Sequence, residues 1–139
     1  MRRGAFLAAA LLLALPAAAS SARGQPVFEF GRVGGNIASF RVTIQADGRI
    51  TSSGPVRLAH PDTRLSAARL ATLLRVARTQ RFWALPRRTL CPDSLPDFAS
   101  RFVTIHTGGR TRTVSVRGVC RARFASIYRA LVAAAGGTP

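Results

Sequence analysis

Few side chains in this sequence can do chemistry. There are five acidic residues, two histidines and two cysteines, against 21 arginines and no lysine. Asp47 belongs to an Asp-Gly turn, and Asp62, Asp93 and Asp97 fall in proline-containing loops, where aspartate commonly serves backbone hydrogen bonds. That leaves Glu29 and His106, both in strand-like stretches. With an arginine they would supply a general base, a general acid and an anion clamp, the set a small ribonuclease uses on a phosphodiester. The three residue types follow no fixed spacing, and a solvent-facing strand carries the same types. The latter reading is adopted, so no catalytic, cofactor-binding or metal-binding residue is assigned. The sequence has no Gly-x-Ser-x-Gly, no phosphate-binding glycine loop and no His-Glu-x-x-His. Two cysteines cannot form a four-thiolate zinc site, and the two histidines lie too far off to complete a mixed one easily.

The chemistry open to the cysteines depends on where the chain goes. Met1 to Ala22 has the order of a secretory signal peptide. Arg2 and Arg3 form a positive start, and Ala5 to Leu15 is an uncharged run too short to span a bilayer. Pro16 and the small residues Ala17 to Ala22 follow. Cleavage after Ala19 and cleavage after Ala22 both satisfy the small-x-small rule. The arginine pair suits an ordinary Sec leader better than a twin-arginine signal. No second apolar run of spanning length follows, so no stable membrane insertion is expected after cleavage. The expected destination is the periplasm or the exterior. In such an oxidising compartment Cys91 and Cys120 have one intramolecular pairing open to them. That disulfide closes a loop of about 30 residues and contributes roughly 3–4 kcal/mol. A reactive thiol would want a partner histidine and a lowered pKa, and the disulfide is preferred.

Loss of the leader removes Arg2 and Arg3 and lowers the formal charge from +16 to about +14. A field of that sign attracts nucleic acid, anionic membrane surface and acidic polysaccharide. The arginines are dispersed, however, with none in a run longer than two. Arginine without lysine, beside 24 Ala, 12 Gly and 8 Pro, reads as the composition of a GC-rich genome. Weak, salt-sensitive association with anionic polymers is the expectation, rather than a shaped nucleic-acid site.

The elements that would position these groups follow from periodicity. Val27 to Val33 alternates as a strand, and Ile37 to Gln45 alternates with Phe40, Val42 and Ile44 on one side. Asp47-Gly48 signals a hairpin, whose return strand starts at Arg49 and weakens at Gly54-Pro55. Ser66 is placed to cap a helix running to about Gln80, with Leu65 and Leu70 as a hydrophobic staple. Leu70, Leu73, Leu74 and Ala77 make its apolar stripe. Phe82, Trp83 and Leu85 follow as an apolar plug. Arg87 to Asp97 is expected as an ordered loop. Arg101 to Thr107 and Arg110 to Val119 are strands around Gly108-Gly109. A second helix runs from Cys120 to about Ala135 with Phe124, Ile127, Tyr128, Leu131 and Val132 on one face, ended by Gly136-Gly137.

The order β-β-β-α-β-β-α predicts an α+β two-layer sandwich. One antiparallel sheet of four to five strands carries both helices on one face. The expected organisation is a leader over residues 1–22, a single domain over 27–135 and a short tail from Gly136 to Pro139.

The segments FEFGRVGG, VTIQADGRITSSG and LSAARLATLLRVARTQRFWALP, and the later strand pair preceded by Asp97, resemble small exported bacterial proteins grouped as a domain of unknown function. The resemblance covers roughly residues 28 to 135 and implies no activity. Gly34-Gly35 stands where members of that group carry a Cys-Pro pair. The functional expectation is an exported, non-enzymatic module that binds a protein or another envelope ligand. The alternatives are an inhibitor of an extracellular enzyme, presenting the loop from Arg87 to Phe98, and the small basic ribonuclease.

Overall fold

Phe28, Phe30, Val42, Ile44, Val103, Ile105, Val114 and Val116 fall at every second position along their strands, and all eight are buried in one apolar cluster. That pattern places one face of a sheet against a second layer. The computed structural model describes residues 24–59 and 64–137. The expected leader and the His60-Pro61-Asp62 loop lie outside the described residues. The strands are β1 (Pro26–Val33), β2 (Phe40–Gln45), β3 (Ile50–Ser53), β4 (Arg88–Leu90), β5 (Ser100–Thr107) and β6 (Arg110–Arg117). The helices are α1 (Ala67–Thr79), between β3 and β4, and α2 (Ala122–Ala134), after β6. The architecture is α+β, with strand order β3-β2-β1-β5-β6-β4.

Two expectations about the sheet are corrected. It has six strands rather than four to five, and it is not wholly antiparallel. Arg88–Leu90 runs parallel to β6, with Thr89 opposite Val116. Pro86 and Pro92 bracket this three-residue segment, so it has no length over which alternation could show. As an edge strand it tolerates prolines at its ends, because only one side of its backbone is paired. The other strands pair antiparallel.

The β2–β3 connection is a three-residue loop, Ala46 to Gly48, closed by Gln45 N–H to Arg49 O at 2.9 Å. Asp47 accepts from the Arg49 backbone N–H and pairs with Arg64 at 3.1 Å. Ser66 caps α1, its hydroxyl accepting from Arg69 N–H at 3.1 Å. Leu70, Leu73 and Ala77 are buried on the sheet side, and Leu65 packs against the same core. Helix α2 buries Phe124, Ile127, Tyr128, Leu131 and Val132 in the same cluster. Both helices therefore cover one sheet face, as expected. At the end of α2, Gly136 N–H bonds to Ala133 O and Gly137 N–H to Val132 O, the paired closure of a Schellman motif. Ala59 N–H bonds to Gly136 O at 2.8 Å, so the first two residues of the expected tail belong to the fold.

Arg81, just past α1, holds φ +54°. This left-handed conformation costs an ordinary L residue about 1–2 kcal/mol. Arg81→Gly is expected to raise the unfolding free energy by about 1 kcal/mol, less the added freedom of the unfolded chain, measured by urea denaturation.

The Tyr128 phenol is held above its ordinary value of 10.0, first by burial, with Arg101 and Arg32 opposing. The sign of the pH effect follows. Folding favours the protonated phenol, so its contribution is fully present below pH 10 and falls as pH rises through the folded pKa. As pH rises above about 10, stability is expected to fall more steeply in the wild type than in Tyr128→Phe.

Candidate functional site

The sequence directs attention to two places, and the structure builds both. One is the face of the sheet that the helices leave open. There His106 Nε2 lies 3.0 Å from Glu29 Oε1, and its Nδ1 lies 2.9 Å from the Thr111 hydroxyl. With Nε2 protonated, the ring donates to Glu29 and accepts from Thr111. Arg41 pairs with the other Glu29 oxygen and stacks over the Phe102 ring at 5.2 Å. The three residue types of the ribonuclease reading therefore do meet, with Arg41 as the arginine. The pairing of β1 with β5, Glu29 opposite Thr104, brings them together across 77 positions of sequence. They meet as partners of one another. Glu29 spends both oxygens and His106 both nitrogens on protein groups, and no gap separates base from acid for a phosphate. The arginine stacked on Phe102 and the Thr104–Thr113 hydroxyl pair, at 2.8 Å, account for the burial of Phe102 and Thr104 on this outward face.

The other place is the end of the sheet where the disulfide sits. Cys91 and Cys120 are bonded, with Cα atoms 5.5 Å apart. The bridge ties the β4–β5 loop to the turn between β6 and α2, as expected. Cys91 N–H extends the β4 pairing by bonding to Arg117 O at 2.9 Å. The loop then folds on itself, with Ser94 N–H to Cys91 O at 3.0 Å and Phe98 N–H to Leu95 O at 3.1 Å. Its far end is held by the β1–β2 turn, where Asn36 N–H donates to Asp97 O at 3.0 Å. Gly35 makes that contact possible. It has φ +69°, and a Cβ there would stand 2.3 Å from Asp97 O.

These segments enclose a groove of about 630 Å³, a volume in the range of ligand sites. The cystine lines it, with Ile37, Phe98 and Val119 beside it. Arg32 and Arg101 also line it and stand directly opposite each other on β1 and β5. Arg32 lies over the Phe40 ring at 5.2 Å and Arg101 over the Tyr128 ring at 5.8 Å. Neither pairs with an acid, and neither Asp93 nor Asp97 pairs with an arginine, among the described residues. Among the described residues the Asp97 carboxylate takes only the Asn36 side-chain amide, at 3.5 Å.

Sequence reasoning located the disulfide and its loop but missed this groove. Its apolar members come from three separate turns and obey no period. The one local signal is Val119, an apolar residue wedged between Gly118 and Cys120 where β6 has already ended. No group of three or more metal-binding side chains occurs among the described residues. No helix among them is long and apolar enough to cross a membrane. Comparison with family models, curated proteins and solved structures finds no match to this chain.

Proposed function

We propose that this chain is an exported binding module whose contact surface is the disulfide end of the sheet. One observation carries the reading. All six large apolar side chains exposed among the described residues are Val33, Ile37, Leu90, Leu95, Phe98 and Val119. Every one belongs to a strand end or turn at that end. Val119 is 80% exposed and Ile37 51%, which a domain of this size does not need for folding. Three of them, Ile37, Phe98 and Val119, line the groove, and apolar surface gathered beside polar groups is the usual mark of an interaction site. The disulfide and the Asn36–Asp97 contact hold the surface in shape before a partner arrives, which lowers the entropy lost on binding. Export supplies the compartment in which that disulfide persists.

The test is site-specific photo-crosslinking in cells that export the protein. A benzophenone side chain at position 119 is expected to trap a partner, and the trap should be lost with Phe98→Asp. The same probe at position 75, on the exposed side of α1, should trap none. Equal adducts from both positions, or none from position 119, would sink the proposal. Intact mass of the exported protein checks the leader, with loss of the first 19 or 22 residues expected.

A second reading draws on the pinned loop itself. Leu95, 56% exposed, sits at the tip of a segment fixed at both ends, the form in which an enzyme inhibitor presents itself. Stoichiometric inhibition of an extracellular hydrolase, lost on Leu95→Asp, would favour this reading over the groove.

A further inference from the structure

We infer that the groove takes an extended polypeptide segment of a partner protein, with an acidic side chain beside a large apolar one. This rests on the binding-module reading and adds the chemistry of the occupant. The argument begins with Arg32 and Arg101. They are direct cross-strand neighbours, and like charges in that relation repel. Each is oriented by an aromatic ring instead of by a carboxylate. Arg32 also donates through Nε to Ala38 O at 3.2 Å, which leaves its terminal nitrogens free. A carboxylate placed between the two guanidinium groups would relieve the repulsion and accept charge-assisted hydrogen bonds from both.

The rest of the lining selects the source of that carboxylate. Ile37, Phe98 and Val119 offer apolar contact next to the arginines, so the anion should arrive with an apolar neighbour. Asp93 and Asp97 line the same groove. Their carboxylates can accept the backbone N–H groups of a peptide, donors that a fatty acid lacks. Donors, acceptors and apolar surface in one groove match a polypeptide, which carries all three. The formal charge of about +14 left after loss of the leader would speed the approach of an acidic partner.

The experiment uses fluorescein-labelled octapeptides and the whole exported protein at about 0.15 M salt. One peptide has two central leucines flanked by glutamates. The second has lysines for the glutamates, and the third has serines for the leucines. The first is expected to bind at least roughly tenfold more tightly than either control. Arg101→Glu and Val119→Asp, each checked for an unchanged melting temperature, should each remove that preference. Equal binding of the serine peptide would mean that only the overall charge acts, which overturns the proposal. Equal binding of the lysine peptide overturns the acidic occupant while the binding module stands. Stronger binding of dodecanoate, in competition with the first peptide, overturns the polypeptide source. If no peptide binds while position 119 still traps a partner in cells, this occupant is wrong and the broader reading survives. Failure of both experiments removes both.

Discussion

Cys91→Ser is expected to lower the melting temperature by roughly 10–15 °C, and Cys120→Ser, which breaks the same bond, by a similar or somewhat smaller amount. Removing a native disulfide from a small domain typically costs about 2–5 kcal/mol, and at this chain length each kcal/mol shifts the midpoint by several degrees. The loop that the bridge ties down has little else to hold it. Between Pro92 and Phe98 the side chains are exposed except Ser94, and the remaining anchors are single hydrogen bonds such as Asn36 N–H to Asp97 O. Cys91 itself is buried in the main core, so a serine there also places a hydroxyl among apolar groups. The double variant should be little worse than Cys91→Ser alone, because both singles break the same bond. Thiol titration of the native protein should find no free thiol. Two titratable thiols, or a shift within about 2 °C for either single variant, would contradict the account.

Phe30→Ala is expected to cost about 3–5 kcal/mol, enough to leave the domain partly unfolded at 37 °C. Phe30 is 2% exposed, on a strand with a neighbour on each side. Its ring meets Tyr128 edge-on, with centroids 5.9 Å apart at 86°. The residue thus joins the sheet to α2, and truncation leaves a cavity between layers that cannot both close in. Phe98→Ala offers the contrast. Phe98 is 45% exposed, so its loss should change stability by no more than about 0.5 kcal/mol. Urea denaturation of both variants separates the core from the exposed end of the sheet. Similar costs for the two would mean that Phe98 is structural.

Much of the fold was readable because its signals are local. The alternation around Val103 and Ile105, the Asp47-Gly48 turn and the Leu70–Ala77 stripe each lie within a dozen residues and need no partner to be recognised. β4 was not readable. Three residues between two prolines carry no period, and the strand exists only because β6 lies alongside. The meeting of Glu29 with His106 was half readable. The residue types were evident, but β1 pairs with β5 across most of the chain, and hairpin signals do not report such pairings. The Cys91–Cys120 bond was readable from arithmetic, since two cysteines allow one internal pair. The groove beside it was not, because turns from three parts of the chain build it.

The two outermost strands have a bearing on how this protein behaves at high concentration. β3 is four residues long and runs into Gly54-Pro55; β4 is three residues long and stops at Pro92. Neither presents the long, flat row of free amides on which strands of separate molecules stack. Self-association through the sheet margins is thereby disfavoured at both sides. Strand addition between folded molecules is disfavoured for the same reason, so the short margins help keep neighbouring chains from stacking edge to edge.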